Sequence, residues 1–215
     1  MKTNKRYWLV LGVVAAVAGG VGLVIATKNR QATGDHSRNV LLPIGIQHNS
    51  QDVMFSQMMI QHHTSAIDMA ALADQRAGSA QVKRLASEIK AAQAVEVETM
   101  KQWLSEWGES HNLPPEPGIK APGMKMDKGM DVEMARMSKE MATMAEEMPK
   151  LKKASGVDFD RMFLTMMIPH HEAAITMATT QQAGGRYAPA KELANSIILT
   201  QRAEIAVLRQ LLTNT

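Results

Sequence analysis

The protein has 215 residues, of which 45% are hydrophobic but only 4% aromatic, and 18 are methionine. Lysine and arginine number 24 against 21 aspartate and glutamate, a net charge of +3, and no basic stripe with interleaved aromatics supports nucleic-acid binding. The absence of cysteine excludes disulfides, thiolate catalysis and thiolate zinc sites. Because strong helix formers dominate beyond the N-terminus, the composition predicts an all-α protein.

The first predicted element is an uncharged apolar run of twenty residues, Trp8 to Thr27, which follows three basic residues. Such a run is long enough to cross a bilayer core of about 30 Å as a helix. It is also longer than the apolar core of roughly 7–15 residues in a cleaved signal peptide. We therefore expect residues 1–30 to form a transmembrane anchor, with a signal segment as the alternative, and residues 31–50 to form a spacer. Either interpretation predicts a domain on the extracytoplasmic side, periplasmic or at the cell surface, membrane-anchored or secreted.

An internal repeat organises the rest of the chain. Shifted by 108 residues, the sequence overlays itself without a gap, and 21 of 53 positions from 52 to 104 are identical. The first copy, at 51–107, has the pattern of two helices, predicted at about 51–76 and 80–107. The second copy occupies 158–215. Two such helical hairpins predict a four-helix bundle.

A third segment, residues 108–157, separates the two copies and combines a Pro-rich loop with a candidate helix at 127–150. In this helix six methionines spaced 4-3-4-3-4 share one face, and we call them the Met ladder: Met130, Met134, Met137, Met141, Met144 and Met148. Charged residues, among them Glu140, are expected on the other faces. A 4-3 spacing is also the ordinary seam of a packed helix, and Met-lined faces bind partner helices. We favour metal storage or transfer, because a seam of Met alone specifies a core poorly.

Each repeat also contains two adjacent histidines, and each histidine has a methionine one helical turn earlier, within chelating reach. An isolated Met or His would be interpreted as core packing. Here the same set recurs in both halves while its neighbours change, which favours a functional role. The candidate ligands are Met54, Met58, Met59, His62, His63 and Met69 in the first copy, and Met162, Met166, Met167, His170, His171 and Met177 in the second.

The spacing of these residues also indicates the metal. Where carboxylate-bridged iron bundles have Glu-x-x-His, both repeats have Met-x-x-His. Thioether and imidazole together favour copper(I) or silver(I) over iron or magnesium. Glu96 and Glu204 on the partner helices are expected to bond the histidine rings or to form salt bridges between helices. Pro169 is expected to kink its helix and to tilt the second His pair, which predicts two sites of different affinity.

The twin F-x-x-M-M-I-x-H-H-x-x-A-I-x-M-A segments resemble the signature of the family called Domain of Unknown Function 305. Members of that family resemble ferritin-like four-helix bundles, are generally exported and include periplasmic copper-binding proteins. The resemblance covers 52–107 and 158–213. It implies a metal role for Met58, Met59, His62, His63, Met69, Met166, Met167, His170, His171 and Met177. Asp52, Asp160, Glu96 and Glu204 also match acidic positions of the family.

The predicted function is extracytoplasmic binding of copper(I) or silver(I), for sequestration, resistance or trafficking. Its expected partners are the metal ions, the membrane through the N-terminal helix, and a protein to which copper is transferred. Two alternatives stay open. One is a copper-dependent oxidoreductase on the same bundle, and the other is an interaction module that binds a helix through the Met ladder.

Overall fold

The computed structural model describes residues 47–112 and 128–215, with side chains described throughout except at 128–131, 133 and 134. These ranges contain five α-helices and no strand, which confirms the predicted all-α class. The helices are α1 (Ser50–Arg76), α2 (Ala80–Trp107), α3 (Lys128–Leu151), α4 (Gly156–Gly184) and α5 (Ala188–Thr213). The predicted limits of the first three helices agree with these bounds to within one residue.

Several predictions fall on residues that the structure does not describe. They concern the membrane anchor at 1–30, the spacer at 31–46 and the Pro-rich loop from 113 onward. Met130 and Met134 belong to α3, but their side chains lie outside the described ones. Among the described helices, none combines the length and the apolar character that a membrane crossing requires.

The helix ends follow local capping chemistry. At the start of α1 the Asn49 side chain accepts a hydrogen bond from the Asp52 amide at 3.1 Å, and the Asp52 carboxylate accepts one from the Asn49 amide at 2.8 Å. These two bonds satisfy backbone donors that a helix start leaves free. The α2 helix is capped after Trp107 by Gly108, whose left-handed φ of 73° suits glycine.

Two antiparallel hairpins form the bundle: α1 with α2, and α4 with α5. The hairpins pack together through α1 and α4, and α3 packs across that same pair of helices. At one end the backbones of Gly78 and Gly156 approach so closely that a Cβ on Gly78 would lie 3.0 Å from Gly156. Glycine at this point therefore permits the first hairpin turn to reach the start of α4.

The apolar core consists of two clusters at opposite ends of the bundle. The first cluster joins the N-terminal half of α1 to the C-terminal parts of α2 and α4 and contains Phe55, Met100 and Trp103. The second joins the C-terminal half of α1 to the N-terminal half of α4 and contains Phe159 and Phe163. Residues halfway along the helices belong to neither cluster, and this is where the polar candidates lie.

A buried aspartate from each hairpin binds the turn of the other hairpin, and we call the pair the aspartate clasps. The Asp52 carboxylate accepts hydrogen bonds from the amides of Arg186 and Tyr187 at 3.1–3.2 Å. The Asp160 carboxylate accepts them from the amides of Gly78 and Ser79 at 3.1 and 2.8 Å. Donors and acceptors in the two clasps are related by the same 108-residue shift. The two aspartates therefore have a structural role that joins the repeats.

Candidate metal centre

A buried polar layer crosses the bundle between the two apolar clusters. Its four imidazoles have at most 1% of their surface exposed. Glutamine and glutamate from the partner helices complete the layer. Its members are His62, His63, Gln93, Glu96, His170, His171, Gln201 and Glu204. Polar groups at this depth are costly unless they are paired or bind a ligand, so the layer is a candidate site.

Two histidines of the layer each bond a glutamate on the other helix of their own hairpin. His63 Nε2 lies 2.7 Å from Glu96 Oε2, and His171 Nε2 lies 2.7 Å from Glu204 Oε2. The expectation that these glutamates bond the histidine rings is therefore confirmed. The two distances are equal, so Pro169 does not displace His171 relative to Glu204. The α4 helix continues through the proline. The expected tilt is therefore wrong for His171.

The other two histidines meet at the centre, where α1 packs on α4. The ring centroids of His62 and His170 are 3.6 Å apart. His62 Nε2 lies 3.1 Å from Glu140 Oε1 of α3. One possible ligand atom from each of these three side chains lies within 4.8 Å of the others. The sequence predicted one site in each repeat, and the structure brings one histidine of each repeat together with Glu140.

Glu140 is the residue that the sequence analysis missed, since it was expected on an outward face of α3. In the structure only 17% of its side chain is exposed. A signal was present: Glu140 lies one turn after Met137 and one turn before Met144. It therefore belongs to the same face as the Met ladder, and that face packs on α1 and α4.

The two halves of the centre differ at one pair of equivalent positions. Ser65 Oγ lies 2.8 Å from His170 Nε2. The equivalent position in the second repeat is Ala173, which has no hydroxyl for His62. Glu140 takes that place and bonds His62 instead. The helix α3 occurs once in the chain, so it can supply a carboxylate to one side of the centre only.

The hydrogen bonds of these histidines also determine which ring nitrogen can bind a metal. The Ser65 hydroxyl donates its single proton to the His62 carbonyl at 2.9 Å, so its oxygen accepts from His170 Nε2–H. The Nδ1 atom of His170 then carries a lone pair. Of the buried atoms in the described ranges, all four histidine Nδ1 atoms have no hydrogen-bond partner. An imidazole that donates from one nitrogen and leaves the other bare is the usual metal-ligand arrangement.

The described methionines among the predicted ligands of the two repeats lie in the two apolar clusters on either side of the polar layer. Met54, Met58, Met59 and Met177 belong to the first cluster, and Met69, Met166 and Met167 belong to the second, with Met162 at its edge. The two methionine pairs that lie one turn before the histidines, Met58 with Met59 and Met166 with Met167, border the polar layer on its two sides. These methionines form part of the core, and they also place thioethers next to the imidazoles.

The Met ladder forms a packing seam over its described part. Met137 and Met144 are buried, one in each apolar cluster. Met141 and Met148 pack at the edges of the same clusters. The described part of the ladder is therefore covered by α1 and α4, as the packing alternative requires.

Comparison with known proteins identifies the family. A family model described as Domain of unknown function (DUF305) matches residues 52–212. The chain belongs to the DUF305 family. No protein among the curated proteins matches it.

Solved structures of similar proteins share the DUF305 fold. A DUF305 fragment from Deinococcus radiodurans is 28% identical, with a TM-score of 0.58 over 78% of this chain and 98% of that one. A DUF305 protein from Streptomyces coelicolor, assigned as secreted, is 26% identical, with a TM-score of 0.61 over 77% and 93%. CopM in its Cu(II)-bound form is 34% identical, with a TM-score of 0.57 over 76% and 96%. CopM has also been solved in Cu(I)-bound and Ag-bound forms.

Burial sets the protonation of the DUF305 centre. Desolvation raises the pKa of the Glu140 carboxyl from 4.5 to about 8. Desolvation, together with the neighbouring imidazoles, lowers the pKa of His62 and of His170 well below 6.5. Near neutral pH these histidines are therefore uncharged, the form in which imidazole binds metals.

Replacing Glu140 by Gln is expected to change how the stability of the metal-free protein depends on pH. The folded-state pKa of Glu140 is raised, so its stabilising contribution is complete below about pH 4.5 and is lost as the pH rises through about 8. Between about pH 4.5 and pH 8 the wild type should lose about 1–3 kcal/mol of unfolding free energy relative to Glu140→Gln. This loss is smaller than the full pKa shift implies, because the Glu140 side chain is partly exposed to solvent. Urea unfolding at a series of pH values measures the difference.

Glu146 provides the matched control for this experiment, because it lies on the exposed side of the same helix. Glu146→Gln should leave the wild-type pH profile in place. Parallel profiles for the wild type and Glu140→Gln would show that Glu140 titrates normally in the folded protein.

Proposed function

We propose that this DUF305 protein binds copper(I) or silver(I) in the buried polar layer and so sequesters the ion outside the cytoplasm. One observation carries the proposal: three helices bring His62, Glu140 and His170 together with ligand atoms within 4.8 Å of one another. Because the two histidines come from different repeats, the arrangement exists only in the folded chain.

The chemistry of the available ligand atoms fits a soft ion. Neutral imidazoles with bare Nδ1 atoms lie in the layer, and thioethers border it on both sides. Imidazole and thioether select monovalent copper or silver. When a bound ion displaces its proton, the Glu140 carboxyl group adds a harder ligand atom, which suits copper(II) as well. In support, CopM has been solved with Cu(I), with Cu(II) and with Ag.

An extracytoplasmic location is part of the proposal. The apolar run at 8–27 supports a membrane anchor, and the relative from Streptomyces coelicolor is assigned as secreted. A protein bound outside the cytoplasm would hold excess copper, or pass it to a copper-transfer protein.

Titration of the full chain in detergent tests the metal function. The protein is titrated without oxygen with Cu(I) buffered by bicinchoninate, and in parallel with Ag(I). At pH 7 we expect at least one equivalent of Cu(I) to move from the chelator to the protein. Cu(I) that remains with even a weak chelator would overturn the proposal.

A copper-dependent oxidoreductase is the second candidate, and one observation favours it. The sequence has Met-x-x-His in place of Glu-x-x-His in both repeats, whereas the structure supplies the Glu140 carboxyl to the His62–His170 pair. A centre that accommodates both copper(I) and copper(II) can change oxidation state. Catalytic oxygen consumption with excess Cu(I) would establish turnover, and one equivalent or less per protein would exclude it.

A further inference from the structure

The central histidines have no direct contact with solvent. The rings of His62 and His170 are at most 1% exposed, and α3 covers the groove between α1 and α4 beside them. An ion that binds at this centre must therefore pass between helices. The route by which the ion would enter therefore rests on the proposed metal function.

A cavity of about 250 Å³ lies between α3 and α4. Glu140 forms part of its wall, and the Oε1 atom of the same side chain lies 3.1 Å from His62 Nε2. At its outer side the cavity is lined by Arg136 and Glu172, which are exposed. The cavity thus extends from the surface to the carboxylate of the centre.

The wall of this cavity contains two thioethers, from Met137 of α3 and Met177 of α4. Both side chains are 5% exposed, so each is reached through the cavity rather than from the open surface. Thioethers bind soft monovalent ions and do not compete for protons near neutral pH. Together with the carboxyl group of Glu140 they place three possible ligand groups in the cavity wall.

We propose that this cavity is the passage through which copper(I) or silver(I) enters and leaves the centre, with Met137 and Met177 holding the ion in transit. The asymmetry of the bundle explains why the passage is on this side. Ser65 occupies the equivalent position beside His170 and is bonded to it. On the His62 side the smaller Ala173 lines the cavity and leaves room for Glu140 and for an ion.

Filling the passage should slow exchange without changing the equilibrium. In Thr176→Leu, which enlarges a side chain of the cavity wall, we expect association and release of Cu(I) to slow together by about tenfold or more, as for a gate that limits access, while the Kd changes by no more than about twofold. Release is measured by mixing the Cu(I)-loaded full chain with excess bicinchoninate in a stopped-flow instrument. The Kd comes from equilibrium competition with the same chelator. Unchanged rates in the folded variant would overturn the passage.

Met137→Leu is the second variant, and Met144→Leu is its matched control. Both methionines are buried on the same face of α3, but only Met137 lines the cavity. Loss of the thioether should slow Cu(I) exchange in Met137→Leu, and Met144→Leu should exchange at the wild-type rate. Equal rates in these two variants would contradict the role of Met137. Failure of the wild type to take up Cu(I) would instead overturn the proposed function itself.

Discussion

A protein in which His62 and His170 are both replaced by Ala should bind Cu(I) at least about 100-fold more weakly than the wild type. Loss of groups that only orient a metal ligand already costs about 10–100-fold in affinity, and here two imidazoles at one centre are removed. The rings lie 3.6 Å apart in the wild type. Competition with bicinchoninate at pH 7 measures the loss. Each single variant should lose affinity as well, since both repeats contribute to the same centre.

His111→Ala is the control for this experiment. His111 is exposed and bonds the Ser105 hydroxyl, outside the polar layer. This variant should retain the wild-type affinity. Ala leaves a void at a buried position, so a second variant replaces both His62 and His170 by Gln. Its circular dichroism and its Cu(I) affinity should be compared with those of the wild type. Wild-type affinity in a folded double variant would place the metal site elsewhere in the chain.

Replacing Asp52 by Ala should lower the free energy of unfolding by about 3 kcal/mol or more, because it removes the charged acceptor of several hydrogen bonds, among them the buried one from Gln181. The carboxylate accepts hydrogen bonds from Asn49, Gln181, Arg186 and Tyr187. It joins the start of α1 to the turn before α5. Urea unfolding of the metal-free protein, followed by circular dichroism, measures the loss.

Asp68→Ala is the matched control, since Asp68 lies on the exposed side of the same helix. It should unfold within about 0.5 kcal/mol of the wild type, as is usual for surface substitutions. Asp160→Ala should be destabilised in the same way as Asp52→Ala, because it removes the other aspartate clasp. If Asp52→Ala unfolded like Asp68→Ala, the clasp would contribute little to folding.

The sequence predicted the helices well because the repeat and the helical spacing are local signals. The limits of α1 and α2 follow from the break at Gly78 and Ser79 and from the Pro-rich loop, and those of α3 follow from the Met spacing. The identity of the central histidines was also predictable, since both copies repeat them. Both predictions depend only on the spacing of residues along the chain.

The arrangement of the site was not predictable in the same way. The meeting of His62 with His170 depends on how one hairpin packs on the other, which no spacing within a repeat encodes. Glu140 belongs to a helix without a counterpart, so the comparison of the two copies gave no information about it. The bond between Ser65 and His170 joins the two repeats in the same way, and Ala173 at the equivalent position has no hydroxyl that could indicate it.

The aspartate clasps make the two hairpins mutually dependent. Each hairpin lacks the acceptor for its own turn amides and receives it from the other. An isolated hairpin would therefore lose the hydrogen bonds to its turn amides. It would also have only one of the two central imidazoles. Partial unfolding of one repeat should therefore destabilise the other, and it would also separate the two imidazoles of the proposed metal centre.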